Sequence, residues 1–586
     1  MKYTLNTTKN EAEKTNGLIA TLKKLVPLIA EEKKMLLVAM VAILVNSSLA
    51  ISAPIIIGHT VDNYILKHDI HGVLVYTGYL GLIYLGMLVA GFLQTRIMGG
   101  VGQRVLFRLR NNLFGKLEDL PVAFFNQNKA GDLISRINND TDKLNQFFSQ
   151  SMMQFIGNIF VIIGAGIAML VVQPHLGSAA LIPAVALFII VQLTSGWIKS
   201  SNFKSLQAFG GLSAEIQESM DNFKVIIAFN RRDYFRRRFT EVNNQNYTKA
   251  MSAGIANNVY APVFTFASSI GQLIVITYGL TLVAGGTLTF GILISYLAYV
   301  TRFYDPLRQM AQLWANLQSA LAGWDRINEI LVMENDLEVI PSTTSTGMAL
   351  LEFKDVAFSY PGGKNVISNI NFSLEKGKIY ALVGPTGGGK TTTASLMARL
   401  YDPSSGTIFL DGKDIRSFTP DERTQKIGFI LQEPFLFTGS VRDNIVYGND
   451  ELHDLSNEEL TKLLKKEGLH ELLERFDDGV ATMVTASGDS ISLGQRQLIA
   501  FIRAMLRHPE LLILDEATAN IDTVTEQLLE AVLAKLPKET TRVIIAHRLN
   551  TIENADEIFF VNGGTVTKAG SLKDAVQMLT DGKSVS

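Results

Sequence analysis

Eight consecutive residues, Gly384-Pro385-Thr386-Gly387-Gly388-Gly389-Lys390-Thr391, carry the most specific chemistry in this chain. They follow a short apolar run and fit the phosphate-cradling pattern G-x-x-x-x-G-K-[ST]. Glycines let the backbone fold tightly enough to aim successive N–H groups at phosphate oxygens, and a helix opening at Lys390 adds its positive end to the same anion. The pattern assigns Lys390 to the β- and γ-phosphates and Thr391 to Mg²⁺, with Thr392 beside them. A second apolar run, residues 511–514, ends in two carboxylates, Asp515 and Glu516. Asp515 suits the Mg²⁺ shell, while Glu516 can orient or deprotonate an attacking water, which is the pair that nucleotide hydrolysis needs.

These residues require a strand, a tight loop and a helix in a soluble α/β domain, and the rest of the chain has a different character. At 586 residues it is too long for one ordinary core. The mean hydropathy is positive, and the 18% of residues that are charged are concentrated away from the N-terminal half. A net charge of −2 points to no nucleic-acid partner. The absence of cysteine excludes disulfides, cysteine-ligated zinc and a cysteine nucleophile. The first residues are polar, with both charge signs, and lack the apolar centre of a signal peptide.

A membrane span needs about 20 apolar residues. Charge-free stretches at 35–57, 73–95, 147–172, 176–198 and 250–301 supply them, the last being long enough for two spans turning at Ala284-Gly285-Gly286-Thr287. Six spans are therefore expected. Lys and Arg crowd the flanks before the first span and after the second and fourth, whereas the opposite loops hold little beyond Lys67. Both termini are thus expected in the cytoplasm of a cell with a plasma or inner membrane as host. The connections at 96–146 and 199–249 read as long helices too polar for lipid, each interrupted by a short amphipathic piece, one around Phe124 and Phe125, the other around Phe223 and Phe229. Residues 18–33 suggest an amphipathic helix along the membrane surface. The polar run 341–347 is the kind that separates domains.

From about residue 350 the chain resembles the nucleotide-binding domain of an ABC transporter, whose motifs follow here in order. The resemblance implies that Tyr360 stacks on adenine, that Gln432 reaches Mg²⁺ and the water, that Ile491-Ser492-Leu493-Gly494-Gln495 is the signature, that Asp522 belongs to the following loop, and that His547 contacts the γ-phosphate. With the phosphate loop, these nominate Glu516, His547 and Gln432 for catalysis, and Tyr360, residues 384–392, Ser492, Gly494, Gln495 and Asp522 for ATP. Thr391, Gln432 and Asp515 are nominated for Mg²⁺. The N-terminal half resembles the exporter class of the same family, in which the two cytoplasmic turns are coupling helices.

The implied fold is an all-α six-span membrane domain followed by an α/β P-loop ATPase domain: a cytoplasmic N-terminus at 1–34, spans and extensions at 35–332, a linker at 333–349 and the ATPase at 350–586. The implied function is ATP-driven efflux of amphipathic or drug-like substrates by one half of a dimer, working by alternating access. A dedicated lipid or peptide exporter and an ATP-binding regulatory membrane protein are the alternatives. One departure bears on the partner. The family signature commonly reads Leu-Ser-Gly-Gly-Gln, and Leu493 replaces its first glycine. Each ATP in the family is sandwiched between one subunit's phosphate loop and the other's signature, so a heterodimer is expected over a homodimer.

Overall fold

The computed structural model describes residues 3–5, 27–334, 337–344, 347, 349–361, 363–485, 491–515, 523–534, 536–545, 553–570 and 572–581. It divides into two compact units. One comprises Asn6–Leu117 and Gly131–Val332; the other comprises Met1–Leu5, Glu118–Ala130 and Met333–Ser586.

The first unit is helical. Its elements are α1 (Lys33–Thr60), which continues through a π-helical turn at Val61–Ile65, α2 (Ile70–Glu118), α4 (Ala130–Val172), α5 (Pro174–Asp221), α6 (Phe223–Ala228), α7 (Arg232–Ala284) and α8 (Phe290–Leu331). The short α3 (Val122–Gln127) belongs to the second unit. α2 and α5, at 49 and 48 residues, are about 70 Å long at 1.5 Å per residue, well beyond a hydrocarbon layer. Of the anticipated surface helix, residues 18–26 lie outside the described residues; the rest leads directly into α1.

Five of the described helices are long and apolar enough to cross a membrane, and α8 is not among them. The turn between α7 and α8 falls at Gly285 and Gly286, as the sequence indicates. α8 is charge-free only from Phe290 to Thr301, with Arg302 and Asp305 following, and it packs on protein over much of its length. Tyr299 Oη donates to the Ile51 carbonyl at 2.7 Å, Tyr304 Oη to that of Ala180 at 2.9 Å, and Tyr296 Oη to those of Met169 and Gln173. A phenol buried in this way keeps its hydroxyl paired. Near its start, α8 meets α1 so closely that a Cβ on Gly291 would lie 2.0 Å from the Gly58 carbonyl oxygen. Asp62 accepts the Gly291 N–H at 2.7 Å, satisfying a free donor of the first turn.

Charge holds the polar extensions together. Arg136 on α4 is fully buried and pairs with Asp132 at 2.9 Å and with Glu329 of α8 at 2.8 Å. Buried Glu215 of α5 is met by Arg238 of α7 at 2.8 Å. Among the described residues, Arg302 and Asp305 form no ion pair, although their spacing on α8 would allow one.

The second unit contains two larger sheets and, among the described residues, a two-stranded ribbon of β7 (Gly439–Ser440) and β8 (Met483–Val484). One is antiparallel, in the order β2-β1-β4-β5, from β1 (Leu351–Ser359), β2 (Asn365–Leu374), β4 (Ser405–Leu410) and β5 (Lys413–Asp414). The other runs β12-β11-β3-β10-β9-β6, from β3 (Ile379–Val383), β6 (Ile427–Ile430), β9 (Leu511–Asp515), β10 (Thr541–Ile545), β11 (Glu557–Asn562) and β12 (Thr565–Ala569). It is parallel except for the edge strand β12. β9 is buried at every position, as expected for a strand covered on both faces.

Two placements differ from the domain boundaries read from sequence. Residues 118–130, expected with the spans, belong to the compact unit of the sheets, and so do residues 3–5. The polar linker is also not loose throughout. Thr343 O accepts the Asp414 N–H at 2.9 Å, Thr344 bridges Lys413, and buried Arg399 donates to the Glu338 carbonyl at 2.8 Å. Polar composition marked a boundary here, but hydrogen bonds to a sheet edge made part of it structured.

Candidate functional site

The parallel sheet brings its chemistry to the carboxyl ends of its strands, where open α/β sheets bind ligands. β3 runs into the loop 384–389, and α9 (Lys390–Met397) follows at once. Gly384 sits so close to β11 that a Cβ would lie 2.0 Å from the Val561 carbonyl oxygen, and Gly389 has φ of 112°, a conformation that side chains disfavour. Pro385, Thr386 and Gly387 are exposed at the apex of the loop, with Gly388 buried at its base. Lys390 is buried, and its Nζ donates to the Gly384 and Pro385 carbonyls at 2.9 and 3.1 Å, curled over the concavity that the loop encloses. A buried ammonium beside aimed backbone N–H groups is a site for a polyanion.

Thr391 Oγ1 lies 3.5 Å from Asp515 Oδ1 at the end of β9. Two oxygen donors facing each other suit Mg²⁺. Asp515 pairs in register with Ile545, so the chain leaves β9 and β10 at neighbouring points. Glu516 follows the first strand end directly and His547 follows the second by two positions; both lie outside the described residues, as does Asp522.

Tyr360 follows β1, and its hydroxyl is 3.1 Å from Thr392 Oγ1, which ties the aromatic residue to the phosphate-loop helix. Gln432 is exposed beyond β6, and its carbonyl accepts from Gln497 Nε2 at 3.1 Å. Ser492 caps α10 (Leu493–Met505) in a reciprocal box with Gln495: Ser492 Oγ accepts the Gln495 N–H at 3.2 Å, and Gln495 Oε1 accepts the Ser492 N–H at 2.8 Å. Gln495 Nε2 also donates to the Arg475 carbonyl at 2.6 Å, so its amide is engaged in shaping this chain's own helix end. Gly494 is buried and Leu493 half-buried at the first helical position. The phosphate loop, Tyr360, Thr392 and Asp515 are brought together; Ser492, Gly494 and Gln495 form a separate cluster at the head of α10.

Three residues of this region had no sequence signal. The ring of Tyr401 packs edge-on against Tyr360, with centroids 5.3 Å apart, and its hydroxyl accepts from Asn126 Nδ2 of α3 at 2.6 Å. Burial pushes the Tyr401 phenol up, so it stays neutral. Arg399, with φ of 50°, ties the end of α9 to Asp402 and to the linker. None belongs to a pattern; each is defined by what lies across from it.

Comparison with known proteins agrees with this geometry. The family profile described as the ABC transporter transmembrane region matches residues 36–307, and the one described as ABC transporter matches residues 367–519. The chain is 32% identical over 577 residues to an uncharacterised ABC transporter ATP-binding protein, YfiC, of Bacillus subtilis, covering 97% of this chain and 93% of that one. It is 31% identical to a fatty acid ABC transporter ATP-binding/permease protein of Mycobacterium tuberculosis, covering 83% and 77%. It is also 29% identical to an ATP-dependent lipid A-core flippase of Pectobacterium atrosepticum, covering 94% of each.

Proposed function

Because the chain belongs to the ABC transporter family, we propose that it forms one half of a dimeric exporter that moves amphipathic compounds across the cell membrane through six spans, with both termini in the cytoplasm. ATP hydrolysis coupled to transport is the family activity, and the ATPase domain and membrane-spanning helices on one chain are its exporter-type arrangement. The observation that carries the reading is the phosphate loop, Lys390 and the Thr391–Asp515 pair at the carboxyl ends of neighbouring sheet strands, on the same chain as helices apolar enough to cross a membrane.

In this reading the loop N–H groups and Lys390 bind the ATP phosphates, Tyr360 carries the adenine, and Thr391, Asp515 and Gln432 hold Mg²⁺, whose charge would offset that of the phosphates. Glu516 positions the attacking water and accepts its proton, and His547 steadies the γ-phosphate. Ser492, Gly494, Gln495 and Asp522 face a nucleotide held mainly by the partner subunit. Leu493 weakens that second site, which favours a heterodimer whose partner supplies a regular signature. The exposed aromatic residues of α6 suit docking on that partner.

The fatty acid and lipid A-core relatives favour a second reading, in which the cargo is a lipid. Interhelical bonds from Asn158 to Gln309 and from Gln272 to Thr301, both 3.2 Å, engage two of the polar side chains within the spans in packing. The deciding experiment is vanadate-sensitive ATPase and cargo movement in proteoliposomes, for this chain alone and co-expressed with candidate partners. Little activity alone, restored by a partner, supports the heterodimer. Robust activity from the single chain overturns it and leaves Leu493 a tolerated variation.

A further inference from the structure

Tyr3 and Leu5 are buried within the ATPase unit while Thr4 between them is exposed, and the side chains that hold this segment lie more than 120 positions away in sequence. Tyr3 is 2% exposed and Leu5 3% exposed. Their backbone is read by two side chains at the end of α3. Gln127 Oε1 accepts the Tyr3 N–H at 3.1 Å and the Thr4 hydroxyl at 3.2 Å. Asn128 Oδ1 accepts the Leu5 N–H at 3.0 Å, while Asn128 Nδ2 donates to the Tyr3 carbonyl at 2.9 Å and to the Phe124 carbonyl at 2.7 Å. One amide thus fastens residues 3–5 and α3 together. Tyr3 also lines a cavity of about 200 Å³ with Pro121 and Ala123 of the α3 segment, Leu337 of the linker, and Phe358 and Tyr401 of the ATPase fold.

We propose that residues 3–5 are a strap that fixes α3 against the adenine end of this chain's own ATPase domain, with Tyr3 as a positioning residue for coupling. The physical need is plain. α3 has six residues, too few to be stable alone, and its direct side-chain bond to the adenine-end aromatic cluster is Asn126 to Tyr401. Four hydrogen bonds between residues 3–5 and residues 127 and 128, together with two buried side chains, hold the helix where that bond can form. A movement of Tyr401 and Tyr360 with nucleotide then reaches α3 instead of being lost in a loose turn. The coupling role rests on the transporter reading above; the strap itself does not.

The chain has no cysteine, so a Thr4→Cys/Lys129→Cys pair, which keeps Gln127 and Asn128 and uses two exposed positions beside them, can be tested without background. In membranes holding the full chain, a short thiol-specific cross-linker should join the two positions, read by mass spectrometry of the linked peptide. Adding Tyr3→Ala should cut the linked yield about fivefold. In the reconstituted complex, Tyr3→Ala should lower cargo moved per ATP by about fivefold, within the range that coupling changes span, while MgATP binding is unchanged. Tyr3→Phe, which keeps the buried ring, should retain a linked yield well above that of Tyr3→Ala. Absence of the linked peptide, or wild-type transport per ATP in Tyr3→Ala, overturns the proposal. A complex without ATPase activity would instead sink the transporter reading, leaving cross-linking to decide the strap.

Discussion

Two short helices of equal length, α3 and α6, meet opposite fates. α3 is packed into the ATPase unit, where Phe124 is fully buried and Asn126 reaches Tyr401. α6 belongs to the helical unit and buries only Ile226, leaving Phe223 53% and Phe229 73% exposed. Both interrupt a long helical hairpin with the same kind of amphipathic, phenylalanine-bearing piece. The difference teaches that an apolar stripe on a turn announces docking but not with whom. One stripe is satisfied within this chain; the other leaves its apolar area exposed.

The largest effect should come from attacking the satisfied helix. Phe124→Ala opens a cavity beneath α3 and should destabilise the ATPase unit by about 3 kcal/mol or more, read as a lowered thermal midpoint. An unchanged midpoint would mean that α3 is a loosely held turn like α6. Hydrolysis can be stopped without touching either helix: Glu516→Gln should slow turnover at least about a hundredfold while ATP binding persists. Near-normal steady-state turnover would remove Glu516 from its assigned role.

Replacing the exposed pair, Phe223→Ala with Phe229→Ala, should leave the midpoint of the chain unchanged but lower transport per ATP about tenfold. If transport per ATP is unaffected, α6 docks on nothing. The smallest effect is expected at a control position in neither helix, just before β9. Burial raises the pKa of Glu510, but hydrogen bonds from Lys426 and Lys376 outweigh it, so the carboxyl titrates below its usual range, and Asp411 is held low by the same lysines. A carboxylate depressed in the folded state contributes stability above its unfolded pKa, near 4.3, and loses it as pH falls through the folded value. Glu510→Gln should therefore flatten the fall of melting temperature between about pH 5 and 3, with no change in coupling.

The legible parts were those in which one stretch of chain contains its own reason. Charge-free runs of span length produced α1, α2, α4, α5 and α7, because lipid selects on the residues themselves. α8 begins in the same charge-free stretch, yet Arg302 and Asp305 follow Thr301 and cut its apolar run short of span length, and its tyrosines bond to carbonyls that other helices supply. The tight turn ahead of Lys390 was readable because its geometry depends on glycine φ angles and on a lysine at fixed spacing.

What the sequence determined by itself was thus local: the glycine-rich loop ahead of Lys390, the strand that ends in Asp515, and the apolar runs. Each is set by interactions within a few residues, or by a solvent that acts on every residue alike. Tertiary structure alone decided that Tyr401 stands between Asn126 and Tyr360, that Arg399 holds the linker, and that Tyr3 and Leu5 are buried against α3. Those contacts join residues up to 275 positions apart. No local pattern encodes them, because whether an asparagine or a tyrosine acts depends on the partner the fold carries to its side.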